Sequence, residues 1–171
     1  MLTIRPATDG DAQAIADIYA HHVRHGTASF DTDPPPADSM RGKIAAIPVF
    51  FVAEIEGTVA AYAYAAQFRD RPAYATTCEN SIYVHPDRLG QGIGSVLLGA
   101  LMEASIAAGF RQMLAVIGDA APASVALHAR AGFVETGRMR SVGRKFGRWR
   151  DTLYMQRALG EGDSTPPHAE P

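Results

Sequence analysis

The residues most suggestive of chemistry form a glycine-rich stretch at residues 90–94 (GQGIG). This stretch follows a strand-like run at residues 81–84 (SIYV) and a turn that contains Pro86. It opens a segment in which apolar residues recur at helical spacing. Glycines let backbone N–H groups approach a ligand closely, and the first-turn N–H groups of a helix favour an anion. The stretch is therefore predicted to bind a phosphate group.

Two common phosphate-binding motifs do not fit this stretch. A nucleotide P-loop ends in Gly-Lys-Ser/Thr, and the chain has no lysine between Lys43 and Lys145. The dinucleotide fingerprint needs a spaced third glycine and an acidic residue about 20 positions later. Here Ser95 follows the last glycine directly, and residues 104–118 contain no acid. A different phosphate ligand is therefore indicated.

A single carboxylate lies within the strand-like segment that precedes the glycines. Glu79 is the only acidic residue between Asp70 and Asp87. A carboxylate in a strand is costly to bury unless it is paired or functional. Glu79 is therefore a candidate functional residue, with two alternatives: a structural partner of Arg71, or a residue on a solvated face.

Length and charge limit the class of protein. The 171 residues suit one domain with a sizeable core, which we assign to residues 1–158. Residues 159–171 are rich in Gly, Pro and acid, and we expect a disordered tail there. The net charge of −2 argues against a dedicated nucleic-acid or membrane-surface protein.

Cysteine usage and hydropathy point to the cytoplasm. The one cysteine, Cys78, excludes an internal disulfide framework. No apolar run approaches the ~20 residues that cross a bilayer, and the N-terminus has no signal-peptide pattern.

His21, His22 and His25 complement the dipole at the end of a predicted helix, and without a supporting motif we expect no metal site.

Strands and helices are predicted to alternate around the glycines and Glu79. Residue patterns predict strands at residues 2–5, 49–55, 58–66, 75–84, 112–117, 133–140 and 151–157. Helices are predicted at residues 11–24, 37–47, 93–108 and 122–131. An antiparallel hairpin in front and strand–helix–strand units behind predict an α/β sandwich.

The element order and several local motifs resemble a known family. The [QR]-x-x-G-x-[GA] loop of the GNAT superfamily of acyl-CoA-dependent N-acetyltransferases matches at Gly92 and Gly94, although Leu89 stands where Gln or Arg is expected. Closer motifs lie at residues 27–30 (TASF), 79–84 (ENSIYV), 116–128 and 145–151 (KFGRWRD). Together they resemble the phosphinothricin N-acetyltransferases, which include methionine sulfoximine and methionine sulfone acetyltransferases.

This resemblance implies the fold and the reaction. The expected fold is the α/β (α+β) GNAT acyl-CoA N-acyltransferase fold, with a mixed, mostly antiparallel sheet of about seven strands flanked by about four helices. The expected reaction is direct attack of a small amino-acid-like amine on acetyl-CoA, which serves as the acetyl donor, with no metal. A homodimer is also expected, with the basic segment at residues 138–150 at its interface rather than on nucleic acid.

The resemblance also implies roles for individual residues. Glu79 would be the general base, acting directly or through water. His128 stands where many members have a tyrosine that protonates the leaving thiolate, so it is a general-acid candidate or a packing residue. The acceptor pocket would use Phe30, Arg71 and Tyr74, although the arginine could equally lie in an exposed loop. Acetyl-CoA would be bound by Ile82, Tyr83, Val84, Leu89, Gly90, Gln91, Gly92, Ile93, Gly94, Ser95 and Ser124.

Two other functions stay open at this point. One is a GNAT enzyme that acts on a protein N-terminus, an antibiotic or a polyamine, although a polyamine site needs an acidic pocket and Arg69 and Arg71 argue against it. The other is a non-catalytic acyl-CoA-binding module, against which Glu79 argues.

Overall fold

A computed structural model describes residues 1–169 of the chain, and over that range it contains seven strands and four helices. The strands are β1 (Leu2–Pro6), β2 (Val49–Ile55), β3 (Thr58–Gln67), β4 (Thr77–Val84), β5 (Gln112–Gly118), β6 (Val134–Lys145) and β7 (Arg148–Ala158). The helices are α1 (Ala12–His25), α2 (Ala37–Ala46), α3 (Ile93–Ala107) and α4 (Pro122–Arg130).

The strands form one mixed sheet in the order β1-β2-β3-β4-β5-β7-β6. Among these neighbours, only β4 and β5 run parallel, because α3 provides the crossover that a parallel pair requires. The predicted mixed, mostly antiparallel sheet of seven strands with four helices is confirmed.

The parallel pair separates part-way along its length. The register between β4 and β5 runs from Thr77 and Gln112 to Asn80 and Ala115, and then stops. Both strands continue past this point, β4 to Val84 and β5 to Gly118. A cleft therefore opens in the middle of the sheet.

The two faces of the sheet carry different cores. Alternate residues of β3 explain the division, since successive side chains of a strand point to opposite faces. Ala61 and Ala63 pack with Leu97 and Leu101 of α3. Tyr62, on the other face, packs with an apolar cluster that includes Ile15, Ile18 and Val23 of α1. The small alanines leave room for α3, and the aromatic rings fill the space under α1.

The C-terminal hairpin is longer than predicted. The sequence predicts strands at residues 133–140 and 151–157 with a glycine-rich turn between them, but β6 and β7 reach Lys145 and Arg148. The turn is two residues long, and both Phe146 and Gly147 have positive φ. Such two-residue turns match the twist of a hairpin, so the basic segment continues the strands.

The chain still contacts the core beyond residue 158, where the sequence predicts the end of the domain. Leu159 is buried, and Arg111 donates hydrogen bonds to Gly162 O and to Thr165 Oγ1. The prediction of a disordered tail extends to residues 170–171, which lie outside the described range, and it stays a prediction.

Candidate active site

The cleft between β4 and β5 contains a cavity of about 280 Å³. One wall consists of β4 residues, the other of β5 residues and α4, and the loop after α1 closes one side. The polar or titratable side chains that border it are Ser29, Glu79, Asn80, Ser81, Tyr83, Ser124, His128 and Thr152.

The exposed edge of β4 offers backbone hydrogen-bonding groups to this cleft. His85 N donates to Ala60 O on the β3 side. Peptide groups of a strand alternate in direction, so those of Ile82 and Val84 point toward β5, beyond the end of its register. Val84 O accepts a hydrogen bond from His22 Nε2 at 2.8 Å. The peptide group of Ile82 and the N–H of Val84 are thus directed to the cleft.

Glu79 borders the cavity from β4 and is half-buried. Burial raises the pKa of its carboxyl group above the ordinary value, and the charge of Arg69 opposes this shift. The ion pairs within residues 1–169 do not include one to Glu79 within 4.0 Å. A carboxylate with a raised pKa and a cavity in front of it suits the removal of a proton from an amine.

His128 lies on the opposite wall and is almost fully buried. Its Nδ1 donates to Ser124 O at 2.8 Å, and its Nε2 lies 3.0 Å from Asn80 Oδ1. The ring packs edge-on against Phe133. Burial lowers the pKa of the imidazole, and the hydrogen bond to Ser124 O opposes that shift.

The loop after α1 brings Phe30 to the cavity, and two glycines make room for its ring. A Cβ atom on Gly118 would lie 2.9 Å from Phe30 Cε1, and one on Gly143 would lie 2.6 Å from Phe30 Cδ2. These distances are shorter than any real Cβ contact, so the position of Phe30 requires glycine on both β5 and β6. The aromatic ring is therefore fixed in the pocket wall.

A buried polar network holds the same loop. Tyr19 Oη donates to Asp31 Oδ2 at 2.7 Å and also contacts Ser29 Oγ. Lys145 Nζ donates to Ser29 O at 2.6 Å, and Lys145 is only 5% exposed. The loop is thus tied both to α1 and to the C-terminal hairpin.

The predicted phosphate loop lies at the start of α3. Gly90 and Gly92 both have positive φ, and Gly92 caps the helix in the left-handed conformation. The first bonds of the helix, from Ser95 N and Val96 N, return to Gly92 O. The preceding N–H groups have no partner inside the helix, as a helix start requires, and can bind an anion. Leu89 is exposed beside them.

The structure brings together some of the predicted site residues and not others. The cavity is bordered by Phe30, Glu79, Ile82, Tyr83, Ser124 and His128. Arg71 and Tyr74 do not border it; Tyr74 packs edge-on against Phe68 in the exposed loop between β3 and β4. Val84 ends β4 further along the cleft, and residues 89–95 lie at the start of α3.

Several residues of this site were not found from the sequence. Asn80, Ser29, Gly118 and Gly143 contact or make room for predicted site residues, and Lys145 anchors the loop of Phe30. For Asn80 a signal was available, because it lies in the same short motif as Glu79. The two glycines have no local signal, since their importance depends on a ring that is distant in sequence.

The arrangement of a split parallel pair, a helix start with glycines and a half-buried carboxylate defines a class of protein. The model of the acetyltransferase (GNAT) family matches residues 15–133, and the chain belongs to this family. A phosphinothricin N-acetyltransferase of Alcaligenes faecalis is 47% identical over 170 residues, which are 96% of this chain and 86% of the relative. A methionine sulfoximine/methionine sulfone acetyltransferase of Salmonella typhimurium is 38% identical and aligns with 94% of this chain and 96% of its own length.

Solved structures agree with this family. A GNAT-superfamily phosphinothricin acetyltransferase from Sinorhizobium meliloti, crystallised with acetyl-CoA, is similar with a TM-score of 0.94 and 44% identity. The similarity covers 97% of this chain and 92% of that one. Within residues 1–169, we find no cluster of three or more His, Cys, Asp or Glu side chains that could hold a metal ion.

Proposed function

We propose that this protein transfers the acetyl group of acetyl-CoA to the amino group of a small amino-acid-like substrate of the phosphinothricin, methionine sulfoximine or methionine sulfone type. The observation that carries the proposal is Glu79, half-buried beside the cleft where β4 and β5 separate. The names of the similar proteins from Alcaligenes and Salmonella support the substrate class.

Acetyl-CoA fits the cleft by the chemistry of the groups along it. Its pyrophosphate suits the N–H groups around Gly92 and Gly94 at the start of α3. Its amide-containing arm suits the peptide groups of Ile82 and Val84, and Ser124 borders the deeper end. Bound there, acetyl-CoA supplies an activated acyl group as a thioester.

Glu79 then acts as the general base, directly or through a water molecule. An amine with a pKa of about 8 or above is largely protonated at neutral pH, and it must lose a proton before it attacks. Burial raises the pKa of Glu79, which makes the carboxylate a better proton acceptor than an exposed one.

The negative charge that develops on the carbonyl oxygen needs a donor, and the N–H groups of β4 at Ile82 and Val84 are suitable. His128 is the candidate that returns a proton to the leaving thiolate. Both of its ring nitrogens already contact protein oxygens, so the proton leaves through the side that adjoins Ser124 Oγ, which lies 3.4 Å from Nδ1.

The acceptor amine enters beside Phe30. Phe30 forms an apolar wall, and Arg71 and Tyr74 on the exposed loop between β3 and β4 close over the substrate when it binds. The guanidinium of Arg71 recognises the carboxylate of the substrate by bidentate hydrogen bonds.

A wider range of amines is the alternative. An L-amino acid N-acyltransferase of Escherichia coli is 38% identical over 165 residues. A ribosomal-protein-alanine N-acetyltransferase of Brucella melitensis is 34% identical with a TM-score of 0.88. The small cavity of about 280 Å³ favours a free amino acid over a protein N-terminus.

The assembly we propose is a homodimer through the C-terminal hairpin. β6 is the last strand of the sheet, and a strand edge offers unpaired backbone groups. Large apolar side chains are exposed on this hairpin, namely Val134, Met139, Val142, Phe146 and Trp149. A second copy of the same edge would cover them, and Val142→Glu, which introduces a negative charge at this edge, is expected to yield monomers in light-scattering measurements.

A cytoplasmic location, without nucleic-acid or membrane partners, completes the proposal. The helices within residues 1–169 include none with the length and apolar character to span a membrane.

A thiol-release assay tests the proposed function. The purified protein with acetyl-CoA is offered methionine sulfone, methionine sulfoximine, phosphinothricin, the common amino acids, spermidine and an alanine-starting peptide. We expect acceptor-dependent release of CoA with the first three and the mass of the N-acetyl product. Release only with spermidine or the peptide, or with none of the acceptors, would contradict the proposal.

A further inference from the structure

A chain of three hydrogen-bonding contacts joins β5, β4 and α4 where the sheet opens. Asn80 Nδ2 donates to Leu114 O at 2.9 Å. Asn80 Oδ1 lies 3.0 Å from His128 Nε2, and His128 Nδ1 lies 2.8 Å from Ser124 O. Asn80 and His128 are 6% and 2% exposed, so protein groups rather than bulk water are their partners.

Asn80 places this series of hydrogen bonds at the point where the cleft begins. Asn80 is the last residue of β4 that pairs with β5. Its amide bond to Leu114 O reinforces the pair at the point where the strands separate. It is also the only asparagine in the chain.

The hydrogen-bonding groups in this series suit one protonation form of His128. Leu114 O and Ser124 O are carbonyl oxygens and can only accept, so each end of the chain is an acceptor. The amide of Asn80 spends its N–H on Leu114 O and therefore turns its oxygen to His128. Both nitrogens of the imidazole ring thus face oxygen acceptors. A neutral ring has one hydrogen for these two contacts, whereas the protonated ring has two.

We propose that Asn80 is a positioning residue for His128: its amide, anchored on Leu114 O, holds an oxygen against Nε2 and favours the ring that carries hydrogen on both nitrogens. This inference rests on the proposed function for its consequence in catalysis. The protonated ring is the form that can give a hydrogen to the sulfur of CoA.

His128 supplies the proton that the leaving thiolate needs. When the thioester C–S bond breaks, its electron pair goes to sulfur. The Nδ1–H bond of His128 breaks and an S–H bond forms, with the hydroxyl group of Ser124, 3.4 Å from Nδ1, as the relay. The ring is left neutral and takes its hydrogen back from solvent before the next turnover.

The surroundings of His128 contain few other charges. From β4, the titratable side chains on the same cavity are Glu79 and Tyr83. The cavity-lining side chains of β5, Ser124 of α4 and the ring of Phe133 are uncharged, and Arg130 in the last turn of α4 is exposed. Burial works against the protonated ring, and Ser124 O works for it. The oxygen of Asn80 is a second neutral acceptor that acts in the same direction as Ser124 O.

An NMR titration of His128 tests the proposal without any substrate. The ¹⁵N resonances of His128, assigned with the variant His128→Gln, are followed against pH in the natural protein, Asn80→Leu and Asn80→Asp. We expect the midpoint to fall by about one pH unit in Asn80→Leu, because an acceptor for the charged ring is lost. We expect it to rise in Asn80→Asp, which keeps an oxygen toward Nε2 and adds charge.

A control and an activity measurement complete the test. Ser105→Ala removes another buried hydrogen bond, from Ser105 Oγ to Leu101 O, and should leave the midpoint unchanged. In Asn80→Leu we expect kcat at pH 7.5 to fall about tenfold, with KM for acetyl-CoA unchanged. An unchanged midpoint in Asn80→Leu would overturn the proposal, as would an unchanged or lower midpoint in Asn80→Asp, which decides the matter if Asn80→Leu does not fold. Absence of turnover with every amine would instead contradict the proposed function and leave the titration result standing.

Discussion

Lys145 Nζ donates a hydrogen bond to Ser29 O at 2.6 Å, and this contact joins the C-terminal hairpin to the loop that carries Phe30. The two residues are 116 positions apart in sequence. Burial lowers the pKa of the ammonium group, whereas the charge of Asp31 raises it. A cation is costly to bury, and here it holds the loop that forms one wall of the cavity.

Replacing this lysine should loosen the pocket wall. In Lys145→Met, Ser29 O loses its partner, which costs about 1–3 kcal/mol of folding free energy. Because the loop of Phe30 is then less well positioned, we expect KM for the amine to rise about tenfold, with KM for acetyl-CoA little changed. Steady-state kinetics with each substrate varied in turn checks this. Arg144→Met, at an exposed neighbouring position, is the control; equal effects of the two variants would contradict the role of Lys145.

The space that Gly143 leaves for Phe30 is open to a direct test. A methyl group added in Gly143→Ala would push the ring from its place, and overpacking of this kind costs about 1–3 kcal/mol. We expect a lower melting temperature together with a higher KM for the amine. Gly137→Ala, on the same strand with no atom within 4 Å of the added Cβ, should behave like the natural protein. The prediction fails if both variants have natural stability and kinetics.

The left-handed conformation of Gly92 should matter for acetyl-CoA. In Gly92→Ala the φ of +77° is strained for the new side chain, so the N–H groups at the start of α3 shift. We expect the Kd for CoA, measured by calorimetry, to increase about tenfold, with the KM for the amine unchanged. Gly99→Ala, in the interior of α3 with open space at the added Cβ, is the matched control and should bind CoA normally.

Glu79 should also affect stability in a pH-dependent way. Its pKa is higher in the folded than in the unfolded protein because of burial. A carboxyl group of this kind favours the folded state fully below the unfolded pKa of about 4.3, and this contribution is lost as pH rises through the folded pKa. Glu79→Gln removes the buried charge, so at pH 7.5 we expect a melting temperature higher by about 2 °C.

The same comparison at low pH gives its control. At pH 4, where the carboxyl group of Glu79 is largely protonated, the difference in melting temperature between Glu79→Gln and the natural protein should shrink. Glu103→Gln, on the exposed face of α3, should leave the melting temperature unchanged at both pH values. A lower melting temperature of Glu79→Gln at pH 7.5 would show that the carboxylate is a structural partner instead.

The elements with strong local patterns were predictable from the sequence. The strand from Val49 to Ile55 has the predicted limits, and α3 begins at Ile93, within the glycine-rich stretch that was predicted to open it. The hairpin of β6 and β7 was predicted too short because its residues are polar and basic, and the pairing of the strands rather than apolar alternation sets its length. The local sequence does not predict that pairing.

The candidate site likewise contains some residues that the local sequence identifies and others that it does not. Glu79 could be singled out because a lone acid in a strand is a local anomaly. The link from Lys145 to Ser29 and the space for Phe30 at Gly118 and Gly143 arise only when distant segments pack together. The loop with Arg71 and Tyr74 has the residue types of a substrate site, yet these two side chains do not border the cavity.

The measurement that tests the central claim most directly is the turnover of Glu79→Gln. The initial rate of CoA release from acetyl-CoA, with saturating methionine sulfone at pH 7.5, is compared between this variant, Glu103→Gln and the natural protein. We expect kcat to fall about 100-fold or more in Glu79→Gln only, since a positioned general base contributes about 10²–10⁴-fold. Full turnover by Glu79→Gln would contradict the role of Glu79 as general base.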